Sequence, residues 1–510
     1  MRRFIPVLAV ILALCLVGCG KPAPRTLRLE IFDRSITPVG YLENGPAAKW
    51  VQKEFGDPNN IKIEWVLVPR PKEVENLNLM MAAGNAPDLS FTYDAVLTAN
   101  YALQGGLADL TAPLNKYGTN LKKFLGPNVL AYGTWGGKIF SIPGKRSILG
   151  ISGTWMRKDW LDKLGMAVPT TTDQWLAAVK AFRDKDPGKL GDKVVPIGGV
   201  DGDVNIIYSF YKPSTERDRA AWIGPSSTRP ARDISIPGAK EGLKFCNMLH
   251  NEGLFQKDWA LWPKNDTINF NAALSSGYVG SFTNNASYFW LYNIMPNLQK
   301  NAPDALYVPV DPFTNSEGKT PKYVYNPIGI FNIVPAASKN ADLVVRYLDW
   351  MSGLPVMTKF IYGDKGVHYD VDEEGIIIPR KVTGDQIWEY NIMDRMMILN
   401  GRPYATQAEV IKAQCKPWVD AKYPMSTFLT HYQMIEKDGV APTRIANPPA
   451  SLNKMGVQLM DKAEEMMIKL YVCKPSDFDA LYDQYLKEWM DMGARQVKEE
   501  MLKQYDAEHK

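Results

Sequence analysis

Thr26-Leu-Arg-Leu-Glu-Ile-Phe32, Ile61-Lys-Ile-Glu-Trp-Val-Leu-Val68 and Asp88-Leu-Ser-Phe-Thr-Tyr93 set the architecture of the N-terminal region. The first alternates apolar and polar residues with the period of a strand, and the other two read as strands on composition. Between the first and second lies an amphipathic helix at about 47–55, ending at Gly56-Asp57-Pro58. Between the second and third, Glu73–Ala83 reads as a helix stopped by Gly84. Strand–helix–strand–helix–strand spacing predicts a parallel, doubly wound α/β sheet. Ligands of such sheets sit beyond the carboxyl ends of the strands. The Thr92-Tyr93-Asp94 turn is therefore a candidate site.

Upstream of this unit the chain carries an export signature. Arg2 and Arg3 precede an apolar run from Phe4 to Leu16, which ends in Leu16-Val17-Gly18-Cys19-Gly20. Spanning a bilayer as a helix takes about 20 apolar residues, so this run has signal-peptide proportions instead. Gly18 directly before Cys19, with Leu16 three residues before that cysteine, resembles the lipobox of bacterial lipoproteins. That resemblance implies a diacylglyceryl group on Cys19 and an anchored location on the outer face of the cytoplasmic membrane. Cys15 fits less well, because Leu14 is bulky at the cleavage position. An uncleaved N-terminal anchor is the alternative. Residues 1–18 are read as signal peptide and 19–26 as lipidated cysteine and tether.

Removing the signal leaves about 490 residues, more than one hydrophobic core organises, so at least two domains are expected. A formal charge of +4 over 510 residues, with no basic block, gives no reason to expect nucleic acid. Cys246, Cys415 and Cys473 are the cysteines beyond the signal region, too few and scattered for a disulfide framework. At most one pair of them bridges. The compositional oddity is aromatic: 14 Trp, 24 Tyr and 18 Phe. Most such rings fill cores. Trp and Tyr also offer a flat apolar face with a polar edge, on which the C–H face of a sugar ring stacks.

From Ala82 onward a series of short motifs runs in fixed order. Ala82-Ala-Gly-Asn-Ala-Pro-Asp88 leads to Gly105-Gly-Leu-Ala-Asp-Leu110, Leu114-Asn-Lys-Tyr117 and Gly137-Lys-Ile-Phe-Ser-Ile-Pro143. Trp155-Met-Arg-Lys-Asp-Trp-Leu-Asp-Lys-Leu-Gly165 and Pro169-Thr-Thr-Thr-Asp-Gln-Trp175 come next, then Ala181-Phe-Arg-Asp-Lys-Asp-Pro187. Ser276-Gly-Tyr-Val-Gly280, Tyr362-Gly-Asp-Lys-Gly-Val-His-Tyr369 and Trp489-Met-Asp-Met-Gly-Ala494 extend the series to the C-terminus. Each motif alone is weak. Their order and spacing behind a lipobox resemble the extracellular solute-binding proteins of carbohydrate ABC importers, in the large lipoprotein branch of Gram-positive bacteria.

The resemblance implies two α/β lobes, each a sheet flanked by helices, joined by crossing hinge segments with the ligand between them. The first lobe would comprise 27–145 plus 313–352, and the second 146–312 plus 353–510. Crossings would fall near Pro143–Leu149 and Pro309–Phe313. The expected function is capture of an oligosaccharide and its delivery to a membrane permease, by a monomer without cofactor or metal. A peptide or other polar solute is the alternative ligand, and a lipid-anchored glycoside hydrolase the alternative activity. Candidate ligand-binding residues are Tyr93 and Asp94 after the third strand, Trp135 before the crossing and Trp155 after it. Thr283, Asn284 and Asn285 follow the Gly280 strand, and Tyr325 and Asn326 lie on the return to the first lobe. Trp222, Trp259 and Trp262 are weaker candidates.

Signals for other chemistry are missing. His250, His368, His431 and His509 form no H-E-x-x-H, and the chain holds no C-x-x-C and no G-x-S-x-G. Gly318-Lys319-Thr320 imitates the end of a phosphate loop, but Phe313 stands where the earlier glycine is required. Relatives in the resembled family carry an oxygen-rich calcium loop after the counterpart of Asp186-Pro187. Here only Asp186 and Asp192 remain as acids, whereas calcium takes six to eight oxygens. Asp201-Gly-Asp-Val-Asn205 starts like an EF-hand but has Ile206 and Lys212 where glycine and glutamate belong. Both stretches read as turns. Two helix starts are also expected: one capped within Thr170–Thr172, and one from a capping-box-like Ser476-Asp-Phe-Asp479. The second would present Phe478, Leu481, Tyr485, Trp489 and Met492 as a core face.

Overall fold

The computed structural model describes residues 23–35, 37–150, 152–199, 203–212, 215–223, 233–261, 268–285, 287–290, 293–390 and 392–509. The signal segment, Cys19, Trp262 and the start of the Asp201–Asn205 stretch lie outside the described residues. In chain order the strands of the two principal sheets begin with β1 (Arg25–Asp33), β2 (Ile61–Pro69), β3 (Ser90–Thr92) and β4 (Ser141–Arg146). Then come β5 (Ser152–Arg157), β6 (Val195–Gly198), β7 (Val279–Asn285) and β8 (Tyr307–Val310). The last are β9 (Ile328–Ile333) and β10 (Leu399–Asn400).

The first sheet runs β2-β1-β3-β9-β4-β10. Strands β1 and β2 pair in parallel over their whole length, and a parallel bridge from Leu29 to Leu89 joins β1 to the start of β3. The parallel, helix-connected unit expected from residues 26–93 is thus present. The rest of the sheet departs from it, because β9 lies antiparallel to both β3 and β4. The reason is connectivity: β9 returns from the other lobe and not over a helix on the same sheet, so no βαβ geometry constrains its direction. The second sheet runs β8-β5-β7-β6, with β6 and β7 parallel and the other pairs antiparallel.

Each sheet organises its own core. Leu29, Ile31, Phe91, Ile142, Phe331 and Leu348 belong to the first, and Trp160, Trp175, Phe182, Leu243 and Trp489 to the second. A third cluster, with Trp155, Phe282, Tyr307 and Phe428, covers the other face of the second sheet. Strand β1 is buried on both faces, so Glu30 is as enclosed as its apolar neighbours; burial pushes its carboxyl up to about 8.

Among the described residues three segments connect the lobes, and two of them differ from expectation. The first crossing, described at 147–150 between β4 and β5, overlaps the predicted one. The second lies near 324–327, not at Pro309–Phe313. Pro309 is inside β8, and Phe313 is buried in the second core with its ring 4.9 Å from that of Trp175. The next loop is tied back to its own lobe, since Lys322 Nζ lies 2.9 Å from Asp311. Only then does Tyr325 N donate to Leu149 O at 2.9 Å, placing the return crossing beside the outgoing one. The third crossing comes after β10. Gly401 has φ +144, and a Cβ there would sit 1.5 Å from Ser147 Oγ, so only glycine fits against the first crossing.

The assignment of 353 onward to the second lobe is corrected for 353–399. Met357, Phe360, Ile361 and Met396–Leu399 fill the first core, and β10 pairs with β4. Ser352-Gly353 is a turn between two helices, Ala341–Met351 and Leu354–Tyr362, which cover the same sheet. From Gln407 the chain packs with the second and third clusters. There, helix Phe478–Trp489 begins without a capping-box bond, because Ser476 Oγ donates to Asp477. Of its expected face, Phe478 and Trp489 are buried while Met492 is exposed.

Candidate functional site

A cavity of about 640 Å³ opens between the two lobes. Its first wall is built by β3, the turn at its end and the next helix. Asp94 caps that helix, Ala95–Leu103, its Oδ1 accepting from Val96 N and Leu97 N at 2.9 Å. The cap fixes the turn and leaves Tyr93 at the cleft, under the Arg70 guanidinium 4.7 Å from its ring centroid. Arg70 also pairs with Glu73 at 3.3 Å. Burial raises the Glu73 carboxyl, while Arg70 opposes the shift; burial raises the Tyr93 phenol as well. Trp135, only 4% exposed, closes this wall from the Thr134–Trp135 hairpin.

The second wall is aromatic and arginine-bearing. Tyr208, Trp222 and Tyr323 line it, with the ring of Trp222 packed edge-on to Tyr211 at 5.5 Å. The segment Val440–Ile445 and helix Ala450–Val472 complete it. Two contacts span the cleft from this side: an Arg444 Nη donates to Thr134 O at 2.9 Å, and the Asn453 amide donates to Asn100 Oδ1. Several buried polar atoms of the lining residues have no hydrogen-bond partner among the described residues: the Tyr323 hydroxyl, Asn326 Oδ1, Asn453 Oδ1 and Glu73 Oε2.

Tyr93, Asp94, Trp135 and Asn326 thus meet at the cleft, joined by Trp222. Tyr325 stands beside it, stacked under Arg146 at 3.9 Å. The other candidates are placed elsewhere. Trp155 is 1% exposed and sealed against Phe289, Trp290 and His431, because its strand carries it to the far face of the second sheet. Thr283 is buried with its hydroxyl 2.7 Å from that of Thr154. Asn284 and Asn285 accept from local backbone amides at the end of β7. Trp259 is a core residue whose indole donates to His250 Nδ1. The sequence reading missed Arg444, Asn453 and Tyr323. Arg444 and Asn453 come from the C-terminal third, where no strand end marks the cleft. The one available signal was Arg444 within the proline-bearing loop Pro442–Pro449.

Among the described residues no group of three His, Cys, Asp or Glu side chains is placed to hold a metal. The reduced loop after Asp186 is held by the protein itself: the Asp186 carboxylate accepts from Leu190 N and Gly191 N, each at 2.8 Å. Among the described residues Cys246, Cys415 and Cys473 form no disulfide. Among the described residues no helix is long and apolar enough to cross a membrane.

Residues 42–354 match the profile of the bacterial extracellular solute-binding proteins. The chain belongs to that family. It is 28% identical over 236 residues to the fructooligosaccharide ABC transporter substrate-binding protein FusA of Streptococcus pneumoniae, covering 42% of this chain and 44% of FusA. It is 24% identical over 469 residues to the polygalacturonan/rhamnogalacturonan-binding protein YtcQ of Bacillus subtilis, covering 88% of this chain and 86% of YtcQ. The alignment thus spans less than half of FusA and most of YtcQ. Among solved structures, the alginate-binding protein AlgQ2 without calcium ion superposes with a TM-score of 0.67 at 21% identity, over 95% of this chain and 98% of that one. The two-lobed fold is therefore that of a solute-binding protein, and these relatives are binding proteins of ABC transporters or of polysaccharides.

Proposed function

We propose that this solute-binding protein captures an oligosaccharide in the inter-lobe cleft and delivers it to an ABC permease. The observation that carries the reading is the pairing of aromatic faces with unsatisfied polar atoms. Trp135, Trp222, Tyr93 and Tyr323 offer surfaces for sugar rings, and the Tyr323 hydroxyl, Asn326, Asn453 and Glu73 hold unmet hydrogen-bonding capacity beside them. A buried polar group left without a partner costs roughly 1–3 kcal/mol. Sugar hydroxyls, which both donate and accept, would meet these groups without loss of the stacking. The names of FusA and YtcQ point to the same ligand class.

A thermal-melt panel of oligosaccharides and peptides tests this. A bound sugar at 100 times its Kd adds about 2.7 kcal/mol to stability, a readable upward shift. Trp222→Ala should weaken that binding by about 1–3 kcal/mol while leaving the unliganded melt near its original position. The ligand should be recovered intact after prolonged incubation. A panel in which peptides shift the melt and no saccharide does would refute the reading, as would turnover that survives repurification.

We further propose that Cys19 carries a lipid that holds the protein at the outer face of the cytoplasmic membrane. Tethering near the permease raises the local concentration of loaded protein. Cys19→Ala should move the protein into the soluble fraction or leave an unprocessed precursor. A cleaved Cys19→Ala protein still retained on the membrane would contradict the anchor.

A further inference from the structure

Arg70, Arg219 and Arg444 line the cleft, Arg146 stands beside it over Tyr325, and the four differ in how their charge is met; Arg219 is engaged within the protein. Arg70 is paired with Glu73. Arg146 and Arg444 have no carboxylate within ion-pair distance among the described residues. Arg146 places its guanidinium over the Tyr325 ring and donates from Nε to Ile328 O at 3.1 Å, leaving both Nη groups without an acceptor among the described residues. Arg444 lies over the Tyr132 ring at 5.5 Å, and among the described residues its side chain donates one hydrogen bond, to Thr134 O. Glu508 acts on it only from a distance, its oxygens being taken by the amides of Ala446 and Asn447 at 2.8 and 2.7 Å. Burial opposes the charge of both guanidinium groups.

The acids of the same cleft have their charge met within the protein. Asp94 faces the N-terminus of its own helix, whose dipole offsets the charge. Glu73 has Arg70, and Asp461 is engaged within the protein. Enclosed cations without counter-charge are costly unless a ligand supplies it. The guanidinium fork matches a planar carboxylate with two parallel hydrogen bonds, whereas a neutral hydroxyl uses only part of it.

We propose that the captured oligosaccharide is anionic: a uronate-bearing chain whose carboxylate is received by Arg444 in the cleft, with Arg146 beside Tyr325 adding positive charge at its edge. This rests on the cleft being the saccharide site.

Calorimetric titration of the purified chain distinguishes the two levels of the claim. The probes are oligomers of galacturonate, mannuronate and glucuronate, the methyl esters of each, and neutral fructo- and galacto-oligosaccharides of matched length. One uronate should bind about 10- to 100-fold more tightly than its own methyl ester, the scale of a hydrogen-bonded charge. That affinity should fall with added salt as the charges are screened. Arg444→Gln and Arg146→Gln should each lower uronate affinity and bring acid and ester closer together. If either variant fails to fold, the acid–ester comparison on the unaltered protein decides. A neutral oligosaccharide that binds as tightly as every uronate overturns the anionic assignment and leaves the saccharide reading in place. Failure of all saccharides to bind overturns both.

Discussion

Trp155→Ala should destabilise the fold by about 3–5 kcal/mol and leave the affinity for oligosaccharide unchanged. The ring touches Phe289, Trp290 and His431 at centroid distances of 5.5, 6.1 and 4.3 Å, and it has no access to the cleft. Its removal would open a cavity next to His431, whose imidazole is held neutral by burial, with its pKa pushed down to about 3 and neither ring nitrogen hydrogen-bonded among the described residues. The vacated space cannot close from the backbone side. A Cβ on Gly153 would already meet His431 Cε1 at 2.1 Å, so β5 and the helix beneath it are at their limit of approach. Urea unfolding gives the stability, and titration gives the affinity. A variant with normal stability and lost binding would put Trp155 back in the site.

Arg395→Met should cost a similar amount, about 3–5 kcal/mol, because it strands a buried carboxylate. Arg395 and Glu389 both have side chains 1% exposed and are joined at 2.6 Å. The guanidinium also donates to Leu42 O at 2.9 Å and lies 4.1 Å from the Trp65 ring centroid. These contacts lock the 389–399 segment under the first sheet. The Arg395→Met, Glu389→Gln pair should recover much of the loss, since no unpaired charge then remains buried. Denaturant melts of both singles and the double close the cycle. If Arg395→Met alone is silent, the segment is not held to the first lobe by this pair.

The N-terminal half of the architecture was legible because local pattern and tertiary role agree there. Leu27, Leu29 and Ile31 alternate toward one core, Gly84 ends a helix with φ +67, and Asp94 both ends the β3 turn and caps a helix. Thr171 caps helix Thr172–Lys185 as its sequence suggests, accepting from Gln174 N. What failed was long-range. The return of the chain at 324–327 is fixed by the Lys322–Asp311 pair and the burial of Phe313, neither of which has a local signature. Trp155 and Trp222 are chemically identical, yet one is sealed in a core and the other faces the cleft. Strand register and lobe placement make that difference. Arg444 and Asn453 reach the cleft across more than three hundred residues of sequence from Thr134 and Asn100, so spacing could not reveal them.

If the sugar sits in the space between the lobes, both walls should change together when it binds. Amide hydrogen exchange, with and without a saturating oligosaccharide from the panel, tests this most directly, since it reports opening along the whole backbone. Exchange should slow at 93–99 on the first wall together with 440–457 on the second, and at the crossings around 147–150 and 324–327. Protection confined to one lobe, or none at either wall under saturating ligand, would contradict a binding site between the lobes.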